Sequence, residues 1–315
     1  MSTKPSDRLD AGETPLFARM AEYVMSRLFD VKHKELLALS LFPLNMEAGS
    51  GNQSITWRQY DAYGVAKIIA NYASDFPRAD VAGKEYTIKI RSLGQAFGWS
   101  IQEIRTAIQS GVRLDFTKAR KAKEFIDQAI DRIAWLGDSA FSIQGFIGYP
   151  GNTEYTLLAD GTGTSKTWAS KTPDQILRDV NKLVAAVVST TNNIEKPDTL
   201  LLPLDQYQYA ATTFRSSTSD LTILDAILKT SPYIKQIVPV PELQGAGYGA
   251  VNGTGGLARM YVYKKDPACL ELHLPVPFEQ FAPQLKNMEQ VVNCHARIAG
   301  MVEYFPLSVA FADGL

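Results

Sequence analysis

The chain has 315 residues, of which 45% are hydrophobic and 21% charged. That length suits about two domains, and that composition can bury a sizeable core and excludes a disordered protein. Lys and Arg number 32 against 33 Asp and Glu, and this net charge of −1 argues against a dedicated nucleic-acid binder. Two cysteines are too few for a disulfide scaffold, and no secretory signal or apolar run long enough to span a membrane is recognisable. We therefore expect a soluble globular chain made in the cytosol.

The start of the chain has the pattern of an arm. Residues 1–14 are polar, residues 16–28 have helical spacing, and an apolar stretch over 36–44 is interrupted by Pro43. Glycines at 49–52 then mark a break. This opening is too short and too broken to fold alone, so we expect it to lie against another surface.

Residues 55–98 predict a long two-stranded excursion. Within it, residues 63–70 are small and β-branched, and residues 85–91 alternate polar and apolar with the period of a strand that has one wet face. We place the tip of the excursion near residues 81–84. An isolated hairpin is only marginally stable in water, so this one should rest on a partner surface.

Two helices are predicted next. Ser100 and Glu103 have the spacing of a capping box and start a short helix that Gly111 can end. Asp115 is a plausible N-cap for a helix over 116–136, roughly 30 Å long at 1.5 Å per residue. Its apolar stripe consists of Ala119, Ala122, Ile126, Ala129, Ile133 and Leu136, and the charged residues that fall mostly away from the stripe are Lys118, Lys121, Glu124, Asp127 and Asp131.

An α/β layer of roughly 120 residues follows a glycine-rich stretch over 145–163, and it is long enough to hold its own core. Thr172, Pro173 and Gln175 combine an N-cap, a proline at the first helical position and the capping-box partner. The layer continues with a helix through 188, strands at 199–202 and 233–240, and helices at 204–213 and 221–229, the last capped by Ser219. After the glycine-rich segment 245–256, a run of strands is predicted at 259–264, 270–274 and 291–304.

Two glycine-rich segments invite a nucleotide-binding interpretation, and both fall short of it. Residues 161–167 approach the phosphate-loop pattern, but Ser165 stands where glycine must let the backbone approach phosphate. Residues 245–256 contain six glycines, but Ala250 occupies the third glycine position of the dinucleotide motif and a strand follows where a helix belongs. A polar surface loop and a flexible connection are the simpler interpretations.

Cys269, His273, Cys294 and His295 are the residues from which a metal site could be built. The spacing of the first two is feasible for a shared ion. The last two are adjacent on a predicted strand and point to opposite faces, so they could not both ligate one ion without a kink. Two buried thiols and two ordinary histidines are the simpler interpretation. His33 is the remaining histidine, and no nucleophile-elbow motif is present.

A basic run crosses the two predicted helices. The pattern favours a solvated helix face, with contacts to an acidic neighbour or to phosphates as the alternative, and no interleaved aromatics support base stacking. Its members are Arg105, Arg113, Lys118, Arg120, Lys121 and Lys123. We assign no catalytic, cofactor-binding or metal-binding residues. An arm, a hairpin and a glycine loop beside a well-packed core are instead typical of a subunit of a large symmetric assembly.

Three stretches of the sequence resemble the major capsid proteins of tailed bacteriophages, in one branch of the Hong Kong phage fold. They are Arg91–Arg105 (RSLGQAFGWSIQEIR) continuing through Gly111, Asp115, Ala119 and Trp135–Gly137, then Tyr63–Pro77, and the C-terminal segment Arg297–Leu315. The resemblance covers about residues 50–315 and is one of elements and stretches rather than of a catalytic signature.

The resemblance implies an α+β capsid fold with the following parts. Residues 1–50 would be the N-terminal arm, 51–98 the extended hairpin loop laid across an adjacent subunit, and 99–150 the peripheral domain with its long spine helix. Residues 151–265 would be the axial domain, and 266–315 would return to the sheet of the peripheral domain. Some relatives crosslink a loop lysine to an asparagine of a neighbour, and the residues available here are Lys84, Lys89, Asn287 and Asn293, although nothing local singles them out.

The resemblance thus implies a non-enzymatic shell protein without cofactors. It would self-assemble into hexamers and pentamers of an icosahedral virion that encloses double-stranded DNA bound non-specifically. Portal and a separate scaffolding protein would be further partners, with a decoration protein as an option and no membrane. Two alternatives stay open: the shell protein of an encapsulin-type bacterial nanocompartment, and a small-molecule α/β enzyme that uses the 172–240 layer.

Overall fold

The computed structural model describes residues 35–66, 78–110, 117–216, 220–245 and 258–315. The chain divides into two compact units, Met1–Glu35 and Leu36–Leu315, and the second is described here. Its helices are α1 (Ala38–Leu41), α2 (Ile101–Ser110), α3 (Thr117–Leu136), α4 (Pro173–Thr190), α5 (Leu204–Thr212) and α6 (Ile223–Thr230).

The strands range from two to ten residues in length. They are β1 (Leu44–Asn45), β2 (Ser54–Tyr63), β3 (Asp80–Lys89), β4 (Arg91–Ser100), β5 (Thr153–Glu154), β6 (Thr199–Leu202), β7 (Gln236–Pro239), β8 (Arg259–Tyr263), β9 (Leu270–His273), β10 (Val276–Gln280), β11 (Gln284–Lys286), β12 (Glu289–Ile298), β13 (Gly300–Glu303) and β14 (Ala310–Asp313).

A five-stranded sheet, in the order β5-β14-β8-β6-β7, separates two hydrophobic cores. Along β8, Tyr261 and Tyr263 enter the core that contains α3, while Met260 and Val262 enter the core that contains α4. This is the alternation expected of a strand that is covered on both faces. The last strand, β14, pairs with β8 in this sheet rather than with the other strands of 266–315, a pairing that the sequence did not predict.

Two further sheets build the side of the molecule that holds α3. One has the order β1-β9-β13, and the other places β12 between β4 on one edge and β10 and β11 on the other. All ten residues of β4 pair with β12. The predicted strand over 291–304 is two strands, β12 and β13, which belong to different sheets, and Gly300 at the start of β13 has a φ of +96°.

The predicted excursion exists as a two-stranded hairpin, since β2 pairs with β3 along their full length. Two details of the prediction are wrong. Residues 81–84 lie within β3 rather than at the tip, and the connection between the strands spans 64–79. Residues 91–98 belong to β4 and pair with β12, because alternation alone does not say which strand is the partner.

The predicted helices are confirmed at α2, α3, α4 and α5. The Ser100 capping box is present, with the backbone amide of Ser100 donating to Glu103 (2.9 Å) and that of Glu103 donating to the Ser100 hydroxyl (3.1 Å). Gly137, at a φ of +70°, follows the end of α3. The N-cap of α6 is Thr222, whose side chain accepts from the amide of Asp225, so the expected cap at Ser219 is wrong.

The helical periodicity wrongly predicts that Asp131 lies on the charged face of α3. Asp131 has no exposed surface, and its carboxylate accepts a 2.9 Å hydrogen bond from the backbone amide of Ala38. Several predicted features fall outside the described residues: His33, Gly111, Arg113, Asp115, most of the 1–50 arm and nearly all of the 245–256 loop.

Candidate assembly interface

The hairpin of β2 and β3 has two unlike faces. Residues opposite each other in an antiparallel ladder share a face, and alternate pairs share it along the strand. One face, which we call the seated face, carries every half-buried residue of the hairpin: Ile55, Trp57, Gln59, Tyr86 and Ile88. The other, which we call the open face, is exposed throughout and carries Ser54, Thr56, Arg58, Tyr60, Ala62, Val81, Gly83, Glu85, Thr87 and Lys89.

The root of the seated face is held by aromatic rings. Trp57 stacks on Tyr86 with ring centroids 5.5 Å apart and an interplanar angle of 15°. The same indole meets Tyr304 edge-on at 5.7 Å and 89°. Tyr304 follows β13, so this contact joins the hairpin to the body of the subunit. A two-stranded hairpin has no core of its own, and this aromatic seat orients it.

Tyr304 is in turn fixed by a polar cluster beneath the hairpin. Its hydroxyl donates to Glu271 (2.9 Å) and lies 3.0 Å from Nε2 of His273, while the amide of Asn45 also donates to Glu271 (2.9 Å). Burial lowers the pKa of His273, and the carboxylate of Glu271 opposes that shift. Burial and the hydrogen bond to Glu271 raise the pKa of Tyr304, so its hydroxyl stays protonated as a donor.

A buried carboxyl group lies next to the same seat. Glu303 is 3% exposed, and burial raises its pKa well above the ordinary range, with a hydrogen bond from Asn152 opposing the shift. The backbone of Glu303 also contacts the Tyr149 hydroxyl. A buried carboxyl group whose pKa is raised by burial is thus the chain neighbour of Tyr304, the ring that contacts the hairpin.

The open face changes character along its length. Near the root, Thr56 and Thr87 share a 2.9 Å hydrogen bond, and Arg58 pairs with Glu85 at 2.6 Å. Towards the tip, the surface is apolar, with Tyr60 65% exposed and Val81 59% exposed. The ring of Tyr60 lies over Gly83, where a Cβ atom would approach it to 3.1 Å. Large exposed apolar side chains at the end of a protruding hairpin are typical of a contact surface.

In the loop over 161–167, which approaches the phosphate-loop pattern, polar groups are hydrogen-bonded to one another. The amide of Gly161 donates to the carbonyl of Ser165 (3.0 Å), and the Ser165 hydroxyl lies 2.8 Å from that of Thr167. A buried ion pair that the sequence did not predict follows this loop in the chain.

Lys171 and Asp179 form a 2.5 Å ion pair with both side chains fully buried. Eight residues separate them, and no periodic signal marks the pair.

The four residues of the notional metal set lie in different surroundings. Cys269 contacts Glu195 (3.6 Å), and burial raises its pKa to about 11. His273 contacts Tyr304, Cys294 is buried, and His295 lies 3.8 Å from Glu279 on the half-exposed side of β12. In the part of the chain that the structure describes, no group of three or more His, Cys, Asp or Glu side chains could hold a metal ion.

The basic run meets local partners where it is described. Lys118 donates to the carbonyl of Gly98 (3.0 Å) and pairs with Glu103 at 3.4 Å. Lys121 pairs with Glu124 at 2.8 Å, one turn along α3. The ammonium group of Lys123 lies 6.0 Å from the ring centroid of Phe278. Arg105 lies on exposed α2, and Arg120 is exposed on α3.

The possible crosslinking residues are all exposed. Lys84 and Lys89 lie on β3, where the ammonium group of Lys84 is 4.8 Å from the centroid of the Tyr86 ring. Asn287 occupies the turn between β11 and β12 with a φ of +48°, and Asn293 lies on β12.

Among the described helices, none is long and apolar enough to cross a bilayer.

An α+β subunit with two cores, a long helix and a two-stranded hairpin is the architecture that the sequence resemblance implied for a shell protein. A family model described as major capsid protein matches residues 64–315, most of the chain. The chain therefore belongs to the major capsid protein family, and it is a structural protein of a capsid. No curated protein matches the chain.

Solved structures show the same fold. The capsid of Myoviridae phage XM1 superposes with a TM-score of 0.78 at 19% identity, covering 96% of this chain and 100% of that one. A chain from the structure of Mycobacterium phage Adephagia gives a TM-score of 0.58 at 12% identity, covering 94% of this chain and 95% of that one. A virus-like particle from Pyrococcus furiosus gives 0.54 at 14% identity, covering 87% and 91%. These matches confirm the predicted Hong Kong phage-like fold class, and the family model favours the phage capsid over the two alternatives.

Proposed function

We propose that this chain assembles with copies of itself into the hexamers and pentamers of an icosahedral shell, and that the hairpin of β2 and β3 is the principal clasp between copies. The observation that carries the proposal is the open face, which is exposed from end to end on a hairpin that has no core of its own. The apolar end of this surface, at Tyr60 and Val81, is costly to expose on a lone subunit and useful in an assembly, where a neighbour covers it.

We propose that the subunit has the parts of the related capsid proteins. We assign residues 1–50 to the N-terminal arm, 51–98 to the extended loop, 99–150 to the peripheral domain, 151–265 to the axial domain and 266–315 to the segment that returns to the sheet of the peripheral domain. The core around α3 would then belong mainly to the peripheral domain and the core around α4 to the axial domain. Two assigned boundaries cut through shared sheets, since β4 pairs with β12 and β14 pairs with β8.

The shell would enclose double-stranded DNA without gripping it. A net charge of −1 supports this role, because tight phosphate binding needs a basic excess and would impede packaging and release. A portal and a separate scaffolding protein would be its partners during assembly, and a decoration protein could bind outside. The subunit would be made in the host cytoplasm and end in the virion, with an interfacial rather than a catalytic role.

Expression of the full chain, alone and with the scaffolding protein encoded beside it, tests the proposal. Electron microscopy of the purified material should show closed shells with five-fold and six-fold clusters of subunits. A chain that remains monomeric under both conditions contradicts it. Genes for portal and terminase next to this one would agree with a phage shell, whereas a gene for a cargo enzyme would favour a nanocompartment.

A further inference from the structure

One tyrosine ring joins the hairpin of β2 and β3 to a buried histidine. Tyr304 meets the indole of Trp57 edge-on, with ring centroids 5.7 Å apart. It also meets the imidazole of His273 edge-on, with centroids 6.3 Å apart and an interplanar angle of 82°. His273 lies on β9 and has only 3% of its surface exposed. A movement of the Tyr304 ring therefore affects both the hairpin and the histidine.

The hydrogen bonds of Tyr304 determine which nitrogen of His273 carries the hydrogen of the neutral ring. The Tyr304 hydroxyl has one hydrogen and donates it to Glu271 (2.9 Å), so its oxygen accepts from Nε2 of His273 at 3.0 Å. The neutral ring then has a lone pair on Nδ1. Among the described residues, none is hydrogen-bonded to this buried Nδ1 atom. A second proton can enter only at Nδ1, where no described acceptor meets it.

The strands around His273 supply two carboxylates and no described cation. Glu271 lies on the same strand, with an oxygen 3.7 Å from Nε2, and it already accepts two hydrogen bonds. On β1, Asn45 is in register with His273, and Glu47 follows it, while β13 places the uncharged Gly300 opposite. The charges of Glu271 and Glu47 favour the imidazolium, but burial outweighs them and lowers the pKa of His273.

We propose that protonation of His273 releases the hairpin of β2 and β3 from its seat. An imidazolium needs an acceptor or water at Nδ1, and water reaches the ring when Tyr304 moves away from it. That movement also removes the edge contact between Tyr304 and Trp57. Because a two-stranded hairpin has no core of its own, losing this contact frees it from the body of the subunit.

The burial of His273 determines the direction of the pH dependence. A histidine that water reaches has a pKa of about 6.5, and the pKa in the seated state is lower. The seated state is therefore fully favoured above about pH 6.5 and loses stability as the pH falls, by at most about tenfold in population for each pH unit. Glu303 cannot cause this effect. It pairs with Leu270 on the other face of the sheet, and because burial raises its pKa, its ionisation weakens the fold as the pH rises.

Amide hydrogen exchange of the full chain, kept as unassembled subunits, tests the inference. Exchange in β2 and β3 is measured relative to α4 in the same sample at pH 7.5 and pH 5.0, which cancels the intrinsic effect of pH. The wild-type ratio should rise about threefold to tenfold at pH 5.0. His273→Gln retains an N–H group but cannot take up a proton, so its ratio should stay constant. His295→Gln is the matched control and should behave like the wild type, since His295 lies near Glu279 on the half-exposed side of β12. A constant wild-type ratio, or an equal rise in His273→Gln, overturns the inference.

The proton affinity of His273 provides a second measurement. Because coupling between two events is reciprocal, a hairpin that is released by the proton must itself oppose binding of the proton. In an NMR titration, the pKa of His273 should therefore move up towards about 6.5 in Trp57→Ala, while that of His295 should not change. Gln variants of His33 and His295 identify their signals. An unchanged titration of His273 in Trp57→Ala overturns the inference. Both measurements use single subunits, so their failure leaves the proposed assembly into shells standing.

Discussion

The carboxylate of Asp131, in the middle of α3, accepts a hydrogen bond from the backbone amide of Ala38, 93 residues earlier in the chain. Ala38 is the first residue of α1, and the bond lies where neither residue has exposed surface. It therefore ties the beginning of the described chain to the long helix. A charged side chain in a core is costly unless it is hydrogen-bonded, so this carboxylate is a structural anchor rather than a surface group.

Asp131→Ala should lower the free energy of unfolding by about 1–3 kcal/mol, because the amide of Ala38 then lies in the core without this acceptor. Asp131→Asn keeps an acceptor and should cost less. Urea unfolding of the isolated subunit, followed by circular dichroism, measures both. Asp127→Ala on the same helix is the matched control, since Asp127 is only partly buried. Equal midpoints for Asp131→Ala and Asp127→Ala would contradict the assigned role.

Trp57→Ala should free the hairpin while leaving the two cores folded. Its ring contacts with Tyr86 and Tyr304 contribute about 0.5–1.5 kcal/mol each beyond the buried area. Amide hydrogen exchange should therefore accelerate in β2 and β3 and stay unchanged in α3 and α4. Tyr60→Ala makes the comparison, because Tyr60 lies on the open face and does not support the seat. Unchanged exchange in the hairpin of Trp57→Ala would show that the seat lies elsewhere.

Glu303→Gln should stabilise the subunit at neutral and alkaline pH. Burial raises the pKa of Glu303, so the folded chain holds this proton more tightly than the unfolded chain does. Above the unfolded pKa of about 4.3, the unfolded chain releases the proton more readily, and stability falls as pH rises towards the folded pKa. Glutamine has no ionisable proton, so the variant does not lose stability in this way as the pH rises. Thermal unfolding should show its advantage near pH 8 and a vanishing difference near about pH 4.

Stability curves for the wild type and Glu303→Gln that run parallel over this pH range would show that Glu303 does not retain its proton. Glu154→Gln is a suitable control, since Glu154 is exposed on the short strand β5.

Removal of one partner from the buried ion pair should be severe. Lys171→Met leaves the Asp179 carboxylate buried without its ammonium partner at 2.5 Å, and we expect a loss of about 3–5 kcal/mol. The double variant Lys171→Met with Asp179→Leu should recover much of that loss, because no unpaired charge remains. A double-mutant cycle in urea measures the coupling. Additive effects of the two substitutions would contradict a coupled pair.

Part of the fold was accessible from local patterns. The capping boxes at Ser100 and Thr172 correctly start α2 and α4, and the amide of Thr172 donates to Gln175 at 2.7 Å as that motif requires. The apolar stripe over 119–136 correctly predicts α3. These signals depend on residues within one or two helical turns of each other, and for that reason they survive without knowledge of the rest of the chain.

The candidate interface was accessible only in outline. Alternation over 85–91 predicts a strand with one wet face, and the strand exists, but its partner, its register and its turn depend on β2. The pairing of β4 with β12 was not predicted at all, because the two strands are far apart in the chain and neither sequence names the other as its partner.

The sequence by itself determined the type and order of most helices and strands and the family to which the chain belongs, because caps, periodicity and characteristic stretches are local properties. The tertiary structure alone decided that β4 pairs with β12, that Asp131 is buried, and that one face of the hairpin is seated while the other is open. Each of these depends on which distant residues meet. Burial and pairing arise from contacts across the whole chain, and no short window of sequence contains both partners.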